Sequence, residues 1–187
     1  MSRRARTLAS CLALVAALAT SGCFNKEELV TLGETEGIYV TVGGLKYQVQ
    51  LSRILNPASV DDQAYLRGLP AGEELADDEV WFGIFMRVEN DGEDAHAAAE
   101  EFVISDTQDE EFEPLELDPE FNAFAYVPRE IPSGELLPIV SSPASDSTIG
   151  GAVILFKVKT GSLYNRPLEL EILSPEGGAD GIVDLDV

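Results

Sequence analysis

A run of carboxylates in one expected turn is the part of the sequence best suited to bind a metal ion. Four acids lie close together and two more follow: Asp106, Asp109, Glu110, Glu111, Asp118 and Glu120. Calcium takes about six to eight oxygen ligands, and a β-turn of this kind can offer carboxylates and backbone carbonyls together. The spacing differs from that of the DxDxDG calcium loop, and acid runs also form solvated faces. Two interpretations therefore stay open, a calcium site formed by the four acids from Asp106 to Glu111 or a domain without a cofactor.

Side chains that could carry out catalysis or bind a transition metal are scarce. Catalysis by a Ser-His-Asp triad needs a histidine beside a nucleophile, and His96, the one histidine, lies in an Ala-rich segment. Zinc and copper sites draw on His, Cys and Met. Met86 belongs to an expected core strand, so it and a single histidine cannot form such a site. Paired carboxylates could serve a hydrolase, but among 34 acids such pairs arise by chance. We predict that the chain is not an enzyme, and a hydrolase is the third hypothesis.

Three aromatic residues in a Pro-bounded loop could line a binding surface. Phe121, Phe124 and Tyr126 belong to the segment FNAFAY, which has no strand period. Aromatic rings are harder to bury in a loop than in a strand, so this segment is a candidate contact surface for a partner. The alternative is a loop that covers the core.

Cys23 is the residue whose position predicts a covalent modification. It follows the small residues Ser21 and Gly22, an arrangement that resembles the bacterial lipobox, in which the cysteine is lipidated and becomes the new N-terminus. Thr20 stands where the lipobox usually has Leu. Cys11 would be lost on cleavage, so an unmodified Cys23 would be a lone thiol in an oxidising compartment. We predict lipidation of Cys23.

The residues before Cys23 have the layout of a secretory signal peptide. Three arginines precede an uncharged run over residues 8–19 and then the small residues. This run is shorter than the roughly 20 residues of a membrane-spanning helix, so we expect cleavage rather than a lasting transmembrane anchor. Residues 1–22 are predicted to be the signal peptide and residues 23–37 a lipidated N-terminus and tether. The paired arginines leave the general and twin-arginine export routes open.

The charge balance excludes one large class of partner. The chain has 34 acidic and 12 basic residues, and three of the basic ones lie in the predicted signal peptide, which leaves nine and a net charge of −25 after cleavage. Nucleic acid is excluded, because binding requires Lys and Arg to neutralise phosphates. Anionic lipid headgroups should also repel the domain, so we expect it to stand away from the membrane.

Period-two patterns predict strands in the remaining chain. Residues 38–42 and 45–51 flank Gly43-Gly44 as a hairpin, and residues 80–90 are apolar on both faces, as in a central buried strand. Further strands are expected over residues 102–106, 112–117, 151–160, 167–173 and 183–187. The first two of these should form a hairpin, and the last should be an edge strand.

These elements predict an all-β fold for residues 38–187. The expected architecture is an immunoglobulin-like antiparallel β-sandwich of about seven to nine strands, preceded by a signal peptide. Residues 56–78 and 118–147 should be irregular connections, the first with a helical turn near residues 61–66.

Two stretches of the chain carry a pattern of strands and turns. The first is FGIFMRVENDGEDAHAAAEEFVISDTQDEEFEP, residues 82–114, and the second is IPSGELLP followed by GGAVILFKVKTGSLYNRPLELEI. Together they resemble a family of uncharacterised immunoglobulin-like domains of bacterial lipoproteins and secreted antigens. Asp109 stands where the family usually has a turn glycine, and a Pro- and Ser-rich stretch interrupts the second pattern. The resemblance covers roughly residues 80–173 and implies an extracytoplasmic β-sandwich, with no agreed activity to carry over.

The function hypotheses follow from the anchor, the size and the missing catalytic groups. The first is an exported lipoprotein, tied by lipid on Cys23 to the outer face of the bacterial cytoplasmic membrane, or to an outer membrane if the cell has one. Its non-enzymatic domain would contact an envelope or secreted protein. The second is a calcium-binding or calcium-stabilised version of that domain.

Overall fold

Two β-sheets packed face to face form the body of the computed structural model, which describes residues 30–175 and 177–187. The predicted signal peptide and Cys23 lie outside these residues. Within them, no helix is long and apolar enough to cross a bilayer. The elements in chain order are β1 (Leu32–Gly33), β2 (Tyr39–Val42), β3 (Leu45–Leu55), α1 (Val60–Gln63), β4 (Glu79–Glu89), β5 (His96–Ala97), β6 (Phe102–Ser105), β7 (Glu111–Phe112), β8 (Pro114–Leu115), β9 (Glu130–Ile131), β10 (Leu136–Leu137), β11 (Ala152–Lys159), the 3₁₀ helix η1 (Ser162–Tyr164), β12 (Leu168–Ile172) and β13 (Gly181–Leu185).

The strand order confirms the predicted β-sandwich. The first sheet has the order β1-β13-β12-β6-β7, and the second has the order β2-β3-β4-β11-β8 with β10 also paired to β4. Strands β5 and β9 form a small separate sheet. All strand pairings in the described residues are antiparallel except that of β1 with β13. Seven of the strands have four residues or more, in agreement with the expected number, and the rest are two-residue pairings.

The main core lies between the two sheets and is built from alternate strand residues. On β12, Leu168, Leu170 and Ile172 are completely buried, and the glutamates between them are not. On β4, Phe82 and Ile84 face the same core. Burying a side chain of this size stabilises a fold by about 1.5–3 kcal/mol, so a shift of one residue in either strand would be costly.

The predicted hairpin of β2 and β3 is confirmed, and its turn explains where the single histidine lies. Val42 and Leu45 face each other across Gly43-Gly44, whose φ angles are +54° and +80°. Such left-handed angles are required in the type I′ turns that join tightly paired strands. A Cβ on Gly44 would lie 2.7 Å from the His96 ring, so the imidazole packs directly on the turn.

Strand β4 is buried on both faces, as its sequence predicts, because two long connections cover the outer face of the second sheet. From residues 56–78, the Tyr65 ring meets Phe85 of β4 edge to face at 4.8 Å. From residues 116–150, Phe124 meets the same Tyr65 ring at 5.1 Å. We call these two connections the covering layer. The helical turn expected near residues 61–66 is present in it as α1.

Residues 112–117 do not form a single strand, contrary to the prediction. Strands β6 and β7 make a short hairpin in which Ile104 faces Phe112, whereas β8 pairs with β11 of the other sheet. The chain thus changes sheets at Glu113. The reason is that Pro114 has no N–H group and cannot continue the ladder with β6.

Residues 30–37, predicted to belong to the tether, are part of the folded domain. The Thr31 carbonyl accepts the Ile182 N–H at 2.8 Å as β1 pairs with β13. The Glu36 carboxylate accepts the Ser52 N–H at 3.0 Å. Strand β13 is therefore internal rather than the expected edge. A two-residue strand is too short to show a period, which is why the sequence did not reveal β1.

Candidate functional site

Asp106 is the centre of the acidic turn, and protein donors already engage it. The residue is only 6% exposed. Its Oδ1 accepts the N–H groups of Gln108 at 2.8 Å and Glu110 at 3.1 Å, and its Oδ2 accepts Asn165 Nδ2 at 2.8 Å. Burial disfavours the charged form, but these bonds and one from Ser162 outweigh it and lower the pKa of Asp106 to about 2. The carboxylate therefore holds the turn in shape.

The other predicted calcium ligands do not gather around Asp106. Asp109 has φ +62°, a left-handed conformation that Asp tolerates better than most residues. Glu110 forms an ion pair with Lys159 of β11, and exposed Glu111 lies in β7. Across residues 30–175 and 177–187, no three His, Cys, Asp or Glu side chains form a group that could hold a metal ion. Calcium binding at this turn stays a prediction for measurement in solution.

The three aromatic residues predicted to form a contact surface occupy different environments. Phe121 is 68% exposed, whereas Phe124 packs against Tyr65 inside the covering layer. The Tyr126 ring meets Phe102 at 5.2 Å, and its hydroxyl donates to the Ala99 carbonyl at 3.0 Å. Two of the three rings thus pack largely into the interior, and Phe121 is the one of the three that is mostly exposed.

A cleft of about 380 Å³ opens where the two sheets end, beside the point at which the chain changes sheets. We call it the edge cleft. Its walls are Glu100, Phe102, Pro114, Leu115, Glu116, Leu117, Tyr126, Pro128, Val153 and Ile154. Strand β8 is the last strand of its sheet and is only two residues long, so it closes the space between the sheets incompletely.

The edge cleft combines apolar walls with negative charge. Phe102, Leu115 and Tyr126 contribute the apolar surface, and the exposed Glu100 and Glu116 contribute carboxylates. Burial raises the pKa of Tyr126 well above its usual range, and the neighbouring Tyr47 and the Glu100 carboxylate raise it further. Tyr126 is therefore a neutral hydroxyl at physiological pH. The cleft is suited to a cationic group carried on an apolar stem.

Sequence reasoning did not find the edge cleft, although it named one of its walls. Tyr126 was a candidate binding residue, but the other walls come from β6, β8 and β11 and from the loops beside them. Periodicity tells which face of a strand is buried, and it does not tell which loops meet at a sheet edge. The sequence signal that could have suggested it is Pro114, which indicates a strand interruption.

Comparison with known proteins supports the fold and gives no function. No family model matches the chain, and no curated protein matches it. The crystal structure of the yjhA protein from Bacillus subtilis covers 82% of this chain and 99% of its own, with 16% identity and a TM-score of 0.56. At this identity the likeness shows a shared fold alone. The β-sandwich implied by the family resemblance is confirmed, whereas membership of that family stays a prediction.

Two further solved structures have lower TM-scores. The ycdA protein of Bacillus subtilis, a candidate lipoprotein, is 12% identical, and the match covers 78% of this chain and 38% of that chain with a TM-score of 0.44. An uncharacterised β-sandwich protein of Clostridium difficile is 9% identical, and the match covers 81% of this chain and 93% of that chain with a TM-score of 0.42. Scores this low add no support.

Proposed function

We propose that this chain is an exported lipoprotein, held at the membrane by lipid on Cys23, whose β-sandwich is a non-enzymatic binding domain. Its partner is another envelope or secreted protein that inserts a basic side chain into the edge cleft. The observation that carries the proposal is the cleft itself, in which Glu100 and Glu116 flank an apolar interior.

A lysine or arginine side chain matches the cleft in both of its parts. Such side chains bury an apolar stem and keep the charged end among polar groups. Phe102 and Leu115 would contact the stem, while the carboxylates of Glu100 and Glu116 would contact the charge. The net charge of −25 without residues 1–22 would also speed the approach of a basic partner.

The anchor places the domain close to the membrane surface. Six residues separate Cys23 from Val30, where the described chain begins, so the distance between these two residues is at most about 25 Å when the chain is fully extended. Anionic headgroups repel an acidic domain, so the sandwich would stand off the bilayer within that reach. A partner exposed at the same membrane face fits this geometry.

Site-specific photo-crosslinking in the cell that produces the protein tests the proposal. A photoreactive amino acid replaces Pro128, an exposed wall of the edge cleft, and in a matched strain it replaces Tyr164, which is 84% exposed and lies outside the cleft. We expect a discrete protein adduct at position 128 and none at position 164. Identical adduct patterns at the two positions, or no adduct at 128, would contradict the proposal.

Paired variants distinguish the contribution of Glu100 and Glu116 to partner binding from the effect of total charge. Glu100→Gln/Glu116→Gln removes two charges at the cleft, and Glu120→Gln/Glu169→Gln removes two exposed charges elsewhere. We expect the first pair to reduce the adduct at position 128 by about ten-fold, since a close charge pair contributes several kcal/mol in favourable cases. The second pair should leave it within about two-fold, as rim charges act mainly on association rates.

A further inference from the structure

Among the described residues, Arg87 stands out as a half-buried arginine that has neither an ion pair nor a hydrogen bond for its buried Nε. Eight of the basic residues are described, and five of them form ion pairs, namely Lys46, Arg53, Arg129, Lys157 and Lys159. Arg87 is half-buried on β4, and its buried Nε has no hydrogen-bond partner. No described carboxylate lies within 4.0 Å of its nitrogen atoms. In a domain this acidic, such isolation is unexpected.

The charge of Arg87 acts on Tyr39, whose pKa it lowers, although burial and Glu89 raise that pKa more. The Tyr39 hydroxyl donates to the Glu89 carboxylate at 3.2 Å. Arg129, the other arginine with an unpartnered buried Nε, differs because its remaining nitrogens bond to Glu135 and to two carbonyls. The Arg87 guanidinium has no such bonds among the described residues.

A cavity of about 240 Å³ lies beside Arg87, between the second sheet and the C-terminal part of the covering layer. Gln50, Ser145 and Thr148 supply an amide and two hydroxyl groups to its lining. Leu136 and Ile149 supply apolar surface. No Asp or Glu lines the cavity, although the chain has 34 of them. The lining therefore offers hydrogen-bond donors and a positive charge with no competing carboxylate.

We propose that this cavity, the Arg87 pocket, binds the carboxylate of a small organic acid or of a chain terminus that carries a short aliphatic group. The buried Nε–H of Arg87 makes no hydrogen bond among the described residues, and the guanidinium's fork of N–H donors matches the two oxygens of a carboxylate. The aliphatic part of the ligand packs against Leu136 and Ile149. A phosphate dianion is disfavoured, because the net charge of the domain repels a double negative charge more strongly than a single one. The pocket lies on the outer face of the second sheet, so this proposal does not rest on the edge cleft.

Binding is measured by NMR titration of residues 24–187, which contain every described strand and both cores. The probes are isovalerate, its neutral amide isovaleramide, N-acetylvaline as a mimic of a chain terminus, and inorganic phosphate. We expect saturable shifts at the Gly150 amide with isovalerate or N-acetylvaline, and binding at least about ten-fold weaker for isovaleramide and phosphate. Tighter binding of N-acetylvaline identifies a chain terminus as the ligand, and tighter binding of isovalerate identifies a free acid.

Two variants decide whether Arg87 is responsible. Arg87→Gln should weaken binding of the acid by at least about ten-fold, whereas Arg67→Gln, at an exposed arginine outside the pocket, should change it by less than about two-fold. Thermal melts without ligand check that both variants fold. If Arg87→Gln does not fold, the acid and amide comparison on the unaltered domain decides the question. Equal affinity for acid and amide, tighter binding of phosphate, no saturable shift, or full binding by a folded Arg87→Gln would overturn the proposal.

Discussion

At the scale of single residues, the acidic turn shows how a cluster of acids in a sequence can serve structure. Asp106 is followed by donors at Gln108 and Glu110, the arrangement in which an Asp side chain bonds to the backbone of its own turn. Asn165, distant in sequence, completes the set at 2.8 Å. The carboxylate therefore stabilises the β6–β7 hairpin and ties it to the segment after η1.

We expect Asp106→Asn to lower the free energy of unfolding at pH 7 by about 1–2 kcal/mol, because the charge-assisted bonds are lost. The pKa of Asp106 is lowered in the folded state from 3.8 to about 2. Its contribution is therefore fully present above pH 4 and is lost as the pH falls through 2. The difference between the natural protein and Asp106→Asn should be greatest near neutrality and shrink below pH 4 in urea unfolding curves.

Asp109→Asn is the matched control for this prediction. It removes one charge from the same turn, and Asn tolerates the left-handed angle of φ +62° as well as Asp does. We expect a change within about 0.5 kcal/mol at every pH, as is usual for surface substitutions. A pH-independent effect of Asp106→Asn, or an equal effect of both variants, would refute the role assigned to Asp106.

At the scale of the elements, one buried side chain joins the two halves of the covering layer. Asn122 is 1% exposed, and its Nδ2 donates to the carbonyls of Tyr65 and Arg67 at 2.9 Å each. Its Oδ1 accepts the Phe124 N–H at 2.9 Å. These bonds fasten the connection of residues 116–150 to that of residues 56–78 above the outer face of the second sheet.

We expect Asn122→Ala to destabilise the protein by about 2–4 kcal/mol, because it leaves buried carbonyl and N–H groups without partners. Fluorescence of Trp81, which lies in the apolar cluster beneath the covering layer, reports on the same region during urea unfolding. The control is Asn56→Ala, which removes a single bond to the Ala58 N–H in an exposed turn and should cost about 1 kcal/mol or less. Similar losses for the two variants would show that Asn122 does not fasten the layer.

The elements that the sequence predicted correctly are those with a sustained period or a decisive turn. The alternation in β4, β11 and β12 identifies their buried faces, and Gly43-Gly44 fixes the register of β2 and β3. The double burial of β4 could be predicted because Trp81 and Phe85 interrupt the polar face expected of a half-exposed strand.

The elements that the sequence did not predict depend on contacts between distant segments. Strands β1, β7 and β8 have two residues each and no period, so β1 was placed in the tether and β8 in the wrong sheet. The covering layer has no regular pattern, and its place follows from how Tyr65 and Phe124 pack on β4. The bond from Asn165 to Asp106 and the isolation of Arg87 likewise depend on tertiary neighbours, which composition does not reveal.

At the scale of the whole molecule, charge should dominate the response to salt. With 34 acids on 187 residues, screening by any electrolyte should relieve self-repulsion. Because no described group of acids could hold a metal ion, we expect millimolar Ca²⁺, millimolar Mg²⁺ and NaCl of matched ionic strength to raise the melting temperature equally relative to EDTA. The measurement is a thermal melt of residues 24–187 in the four solutions.

A calcium-specific effect would be large enough to recognise in that experiment. A ligand present at a hundred times its dissociation constant adds about 2.7 kcal/mol of stability. For a domain of this size, that added stability raises the melting temperature by several degrees. A melting temperature raised by Ca²⁺ alone would contradict the expectation and favour the calcium-stabilised alternative at the turn that begins at Asp106.

The lipid on Cys23 is the feature on which the proposed location of the domain depends, and mass spectrometry of the protein extracted from membranes tests it most directly. We predict a mature chain that begins at Cys23, has lost residues 1–22, and carries the mass of a diacylglyceryl group on its first residue. A Cys23→Ser chain should lack this mass and leave the membrane fraction. A chain that retains residues 1–22, or one that is cleaved and has a free Cys23 thiol, would contradict the anchor and the membrane location proposed for the binding domain.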